Sequence, residues 1–194
     1  MLLGDKEFFR KKAIIGKKIR TMLEDLHQHL KPLVDTQTFI APEDFDTEAF
    51  QFVKGEHLEE SPYQYLDYPR NFSREHKLTF RSLAWWGHHF AFALILEGDL
   101  VKTYRRHLFN RFSKIADQGL TLSLSPSLWE WKKGSGLTMD ITSSQRSEIA
   151  AVLDHRTAFK LTRFINFQDS IVTTNRIVQE GVKTFKTVLP IITP

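Results

Sequence analysis

The sequence contains no cysteine. That excludes a disulfide framework, a thiolate zinc site and a cysteine nucleophile, and it suits a reducing compartment. Nor is there an apolar run of the roughly 20 residues that a bilayer-spanning helix requires. The opening MLLGDKEFFRKK offers three apolar residues before Gly4 and Asp5, too few for the apolar stretch of a secretory signal. The expectation is a soluble, cytoplasmic protein without a membrane span.

Catalytic and cofactor signatures are also missing. No Gly-x-Ser-x-Gly elbow is present, the GSG at 134–136 is too short for a dinucleotide fingerprint, and IIGKKI lacks the glycine spacing of a phosphate loop. The histidines do not make a metal site: His88 and His89 point to opposite faces if they lie on a strand, and His27 and His29, two apart, do not share a helix face. No metal and no cofactor are therefore expected. Internal repeats and low-complexity segments are absent too.

What is there is enough for one globular core: 194 residues, 41% hydrophobic and 26% charged. The net charge of +4 is uneven, running +4, −8, +6 and +2 over residues 1–34, 35–69, 70–116 and 117–194. The basic segments would favour a polyanion, while the acidic one can neutralise the same surface from within.

Along the chain, Phe8, Ile15, Ile19, Met22, Leu26, Leu30 and Leu33 recur at helical steps, so 1–34 is read as a basic amphipathic helix region. Pro32 is expected to kink or restart it. Such a helix can pack on a core or lie on an anionic membrane. Residues 35–72 read as an acidic, irregular connection holding short elements, with Glu59 and Glu60 as solvated neighbours.

KLTFRSLAWW reads as a strand with Leu78, Phe80, Ser82 and Ala84 on one side and Thr79, Arg81, Leu83 and Trp85 on the other. Gly87 turns the chain, and HFAFALIL, apolar on both faces, belongs in the middle of a sheet. Asp99 is the expected N-cap of a helix that buries Val101, Tyr104, Leu108, Phe112 and Ile115 and ends at Gly119. LTLSL and LWEW are strand candidates, ITSSQRSEIAAVL opens a helix behind a Ser/Thr cluster, and TTNRIVQEGVKTFKTVL is a last helix ending before Pro190. The fold class is α+β: a single domain over 1–194, mainly an antiparallel sheet flanked by helices.

Two residue sets carry a binding reading. Trp129 and Trp131, two apart, would share a strand face and, beside Arg81 or Lys133, form a stacking platform for a planar ligand or bases. Trp86 and His88 at the Gly87 turn join that candidate ligand-binding set. In HRTAFKLTRFIN, Arg156, Lys160 and Arg163 fall at four- and three-residue steps, a cationic stripe on one helix face suited to an anion. Both sets also have plainer readings, as core filler and as solvated charge. The expected function is binding of a small molecule or a protein partner without catalysis. Nucleic-acid binding through the basic helices and an enzyme of unfamiliar type stay open.

LHQHLKPLVDTQTFIAP, KLTFRSLAWWGHHFAFALILEG, RTAFKLTRFI and FKTVLPII, taken in this order from Met22 to Ile192, resemble the YktB-like family of bacterial proteins. The resemblance implies an antiparallel sheet flanked by helices and implies no catalytic residue. The family pattern has an Asp-His pair where this chain reads SPSLWEW.

Overall fold

The computed structural model describes residues 2–194. Helix α1 (Lys6–Asp35) opens the chain, with the Asp5 carboxylate accepting from the Phe8 amide as its N-cap. Strands β1 (Gln51–Leu58), β2 (Ser61–Phe72), β3 (Lys77–Trp85) and β4 (His89–Glu97) follow as consecutive hairpins. Helices α2 (Val101–Asn110) and α3 (Phe112–Ile115) lead to β5 (Thr121–Ser123) and β6 (Thr138–Asp140). The chain closes with α4 (Arg146–Leu153), β7 (Ala158–Asn166), α5 (Ser170–Thr173) and α6 (Ile177–Ile192). All seven strands form one sheet in the order β1-β2-β3-β4-β7-β5-β6, with every pairing antiparallel. The α+β architecture is as read from the sequence.

Period-two alternation sorts the side chains. Leu66, Phe80, Phe92, Leu94 and Leu161 enter a core with Leu23, Leu26 and Leu30 of α1 and Phe185 and Val188 of α6. Gly181 permits that close approach, because a Cβ there would lie 2.8 Å from the Phe92 ring and 3.0 Å from Leu26. The opposite face holds a smaller cluster of Leu83, Trp85, Ala91, Ala93, Ile95 and Trp131. There the cover is no helix but the segment 124–137, an irregular strap closed at its base by Leu124 N donating to Leu137 O at 2.8 Å and by the β5–β6 pair.

Several expectations change. The acidic stretch 35–72 contains two full strands, β1 and β2. They are joined by a two-residue turn in which Glu59 and Glu60 take φ of 47° and 65°, a left-handed pair that such hairpins usually fill with Asn or Gly. Helix α1 runs through Pro32 to Asp35 without restarting. Helix α6 passes Pro190 to Ile192, because Ile191 and Ile192 are fully buried and the Ile192 carbonyl accepts from Ile40 N. Asp99 does not cap α2; it lies 3.7 Å from His76, and the buried stripe is shared between α2 and α3, which ends at Ile115 rather than Gly119. LWEW is turn and irregular chain in the strap. The Gly87 hairpin forms as read, with φ of 78° at the glycine. Among the described residues no helix is long and apolar enough to cross a membrane.

Candidate functional site

The helix-free face of the sheet buries charge beside its small apolar cluster. Asp67 on β2 sits directly opposite Arg81 on β3, so the pair meets in register: Nε donates to Oδ1 at 2.7 Å and Nη2 to Oδ2 at 2.6 Å. Both are nearly sealed, Asp67 at 1% and Arg81 at 7% exposure. Burial pushes the Asp67 carboxyl up, and the Arg81 hydrogen bonds and charge oppose that push. The guanidinium is itself covered by rings: its carbon lies 3.7 Å from the Tyr65 centroid, 5.0 Å from Trp129 and 5.7 Å from Trp131.

A cleft of about 300 Å³ opens beside this pair, lined by Gln51, Tyr65, Asp67, Arg70, Phe72, Arg81 and Trp129. Trp129 remains 44% exposed and stacks on Phe72, with centroids 6.1 Å apart and planes 18° from parallel. Arg70 stands over Phe72 at 4.9 Å, its Nε is buried without a hydrogen-bond partner, and among the described residues no carboxylate pairs with it. Arg70 shares a wall with Asp67 because the register shifts between them. Asp67 pairs with Arg81 and Arg70 with Thr79, so three steps on β2 match two on β3, and residues an odd number apart end on one face.

The strap that carries Trp129 is tied down from below. Lys160 on β7 is 1% exposed; its Nζ donates to the Leu128 carbonyl at 2.8 Å and to that of Glu130, and lies 4.0 Å from the Trp131 centroid. Burial lowers its pKa to about 7. Trp131 is buried against it.

Of the residues singled out in the sequence, Arg81, Trp129 and Trp131 come together, although Trp129 and Trp131 do so on an irregular strap draped over the sheet rather than on a strand. Trp86 and His88 do not join them. They lie at the far end of β3, beyond Trp85, itself four residues or about 13 Å from Arg81. Trp86 turns to the helix side and packs against Gly16 of α1. His88 is exposed and stacks on Trp85 at 3.7 Å, while His89 packs edge-on to Trp85 and Phe164. Burial, with the charge of His88 next, lowers the His89 pKa to about 4.

The cationic stripe is corrected. Residues 158–166 are strand β7, held between β4 and β5, so Lys160 and Arg163 point to opposite faces. Arg163 meets Glu180 at 3.1 Å on the helix side. Arg156 precedes the strand and gives its Nη donors to the carbonyls of Ser123 and Leu124 at 2.8 and 2.6 Å. Arg156 and Lys160 do border one cavity of about 270 Å³, but their donors are taken up by backbone carbonyls. Sequence reasoning missed Arg70, Asp67, Tyr65, Phe72 and Gln51. Alternation along a strand would have grouped Tyr65 with Asp67, but it places Arg70 wrongly until the bulge is known.

Among the described residues no cluster of three or more His, Asp or Glu side chains is arranged to hold a metal. No protein-family model matches the chain, and comparison with the curated proteins and with the solved structures returns no match.

Proposed function

We propose that this protein is a non-catalytic binding domain whose cleft between Arg70 and Trp129 takes a small, planar, anionic ligand or the equivalent side chain of a protein partner. One observation carries the reading: a half-buried guanidinium without a carboxylate lines the same small cleft as an exposed tryptophan. Asp67 and Arg81 cancel each other's charge, so Arg70 leaves the cleft with an excess of one positive charge. Phe72 and Trp129 offer ring faces, Arg70 a forked donor for carboxylate or phosphate, and Gln51 an amide. At about 300 Å³ the cleft suits a single ring system.

Other readings draw less support. Catalysis by His88 or His89 would be favoured by a carboxylate beside the ring in a cleft, and among the described residues neither has one. Nucleic-acid binding through α2 would draw on its arginines, yet Arg105 is engaged with the Leu153 and Asp154 carbonyls. Kinship with the YktB-like family and a cytoplasmic location belong to the same proposal, the second supported by the lack of cysteine.

A panel of aromatic carboxylates and aryl phosphates, screened by chemical-shift perturbation on the labelled full chain, tests the reading. Binding that moves Trp129 and Phe72 signals and is lost in both Arg70→Gln and Trp129→Ala supports it. No shift across the panel, or shifts indifferent to both substitutions, overturns it.

A further inference from the structure

The seven large apolar side chains most exposed among the described residues are not scattered. Five of them, Leu3, Phe8, Phe9, Ile14 and Ile15, fall in the first fifteen residues at 44–76% exposure. The stripe that begins at Phe8 enters the core only at Ile19. The reason is geometric: Gly16 sits over Trp86 and Gln64, where β3 and β4 end at the Gly87 turn and only the β1–β2 hairpin continues. Beyond that point Lys12 still meets Glu56 of β1 at 2.6 Å, and residues 6–11 run on past this contact by about 9 Å. Residues 3–11 are exposed throughout.

The exposed side of this half of α1 has its own pattern. Phe8, Lys11, the neighbours Ile14 and Ile15, and Lys18 follow at three- and four-residue steps, so apolar and cationic side chains alternate on one arc. Between residues 6 and 20 seven Lys and Arg face a single acidic residue, Glu7. Arg10 and Lys11 share that one carboxylate, and Lys6, Lys17 and Lys18 have none among the described residues. A helix groove or a second copy of this basic segment would have to bury Lys11 and Lys18 along with the isoleucines. A nucleic acid would leave the isoleucines and Phe8 without a partner. A lipid–water boundary of negative charge suits both kinds of side chain at once, because lysine stems run up through the apolar layer to phosphate.

We propose that the exposed N-terminal half of α1 docks the protein on an anionic lipid surface. Phe8, Ile14 and Ile15 enter the headgroup boundary, and Lys11 and Lys18, flanked by Lys6 and Lys17, meet lipid phosphates. The docking element is separate from the cleft and does not depend on the ligand reading.

The test is co-sedimentation of the full chain with vesicles of phosphatidylcholine alone and of phosphatidylcholine with one-third phosphatidylglycerol. Partition onto the anionic vesicles only, weakened by added salt, is expected. Ile14→Ser with Ile15→Ser, and separately Lys11→Gln with Lys18→Gln, should each lower it about tenfold or more. These side chains are exposed, so unchanged circular dichroism and melting will accompany the loss. Absence of vesicle binding, equal binding to neutral vesicles, or indifference to both variants overturns the proposal. So does a dimer by light scattering that dissolves in the isoleucine variant without any vesicle binding, since the arc is then an interface between copies. Salt-sensitive retention on duplex DNA in place of vesicles overturns it equally.

Discussion

The two faces of the sheet are covered by opposite means. Under α1 and α6 the side chains are almost all aliphatic or aromatic, and the helices bring complementary stripes. Under the strap the same strands present Asp67, Arg81, Thr79, Lys160 and Thr162, all buried, and no helix covers them. An apolar face is stabilised simply by contact with another apolar face, in proportion to area. A polar face is stable only if each charge finds its partner, so its cover must be specific. The difference explains why the strap can be irregular: its job is to supply rings over Arg81 and carbonyls to Lys160, which a regular helix, with its carbonyls already bonded, does poorly.

The sharpest way to break this comparison is to remove one member of the buried ion pair. Asp67→Ala should lower unfolding free energy by about 3–5 kcal/mol in urea titrations, because Arg81 is left charged and unpaired. Replacing both, Asp67→Leu with Arg81→Met, should recover most of the loss. If the single change costs less than about 1 kcal/mol, the open face does not depend on its charge pairing.

A second difference lies in pH. Lys160 in the unfolded chain holds its proton up to about 10.5 but in the fold only to about 7. Between those values the unfolded chain binds more protons, so stability rises with pH, by ~3 kcal/mol between pH 7 and 9.5. Urea midpoints followed from about pH 7 to 9.5 should show this rise, and Lys160→Met should flatten it. An unchanged slope in the variant would assign the effect elsewhere.

The smallest effect sits at the far end of the same face. Burial lowers His89 from 6.5 to about 4, so acidification protonates the unfolded chain first and stability falls as pH drops through that window. His89→Phe, keeping a ring against Trp85 and Phe164, should remove ~2 kcal/mol of this acid sensitivity by thermal melts between pH 6.5 and 4. A variant that loses stability with acid as steeply as the parent would show that the ring stays neutral without cost.

The strand of residues 77–85 and its partner after Gly87 were legible because their alternation is clean and a glycine marks the turn. The β1–β2 hairpin was not. Its turn is Glu59-Glu60, which lacks the glycine or asparagine that signals left-handed backbone, and prolines at 62 and 69 argue against a strand on local grounds. Residues 156–163 misled for the reverse reason: basic residues at helical spacing happen to sit on a segment whose Phe159 and Leu161 pair into the sheet. Pairing with β4 along its whole length outweighs a pattern of exposed charge, since nine residues of ladder and a buried face are at stake.

By itself the sequence determined the α+β class, the central hairpin and the helical stripes, because these rest on periodicity within short windows. Only the tertiary structure decided which rings meet which charges. The bulge that brings Arg70 beside Asp67, the strap that lays Trp129 over Arg81, and the sheet edge beyond which α1 runs bare all depend on where distant segments come to rest. No local pattern encodes that, because the energy that selects it is gained only when the segments touch.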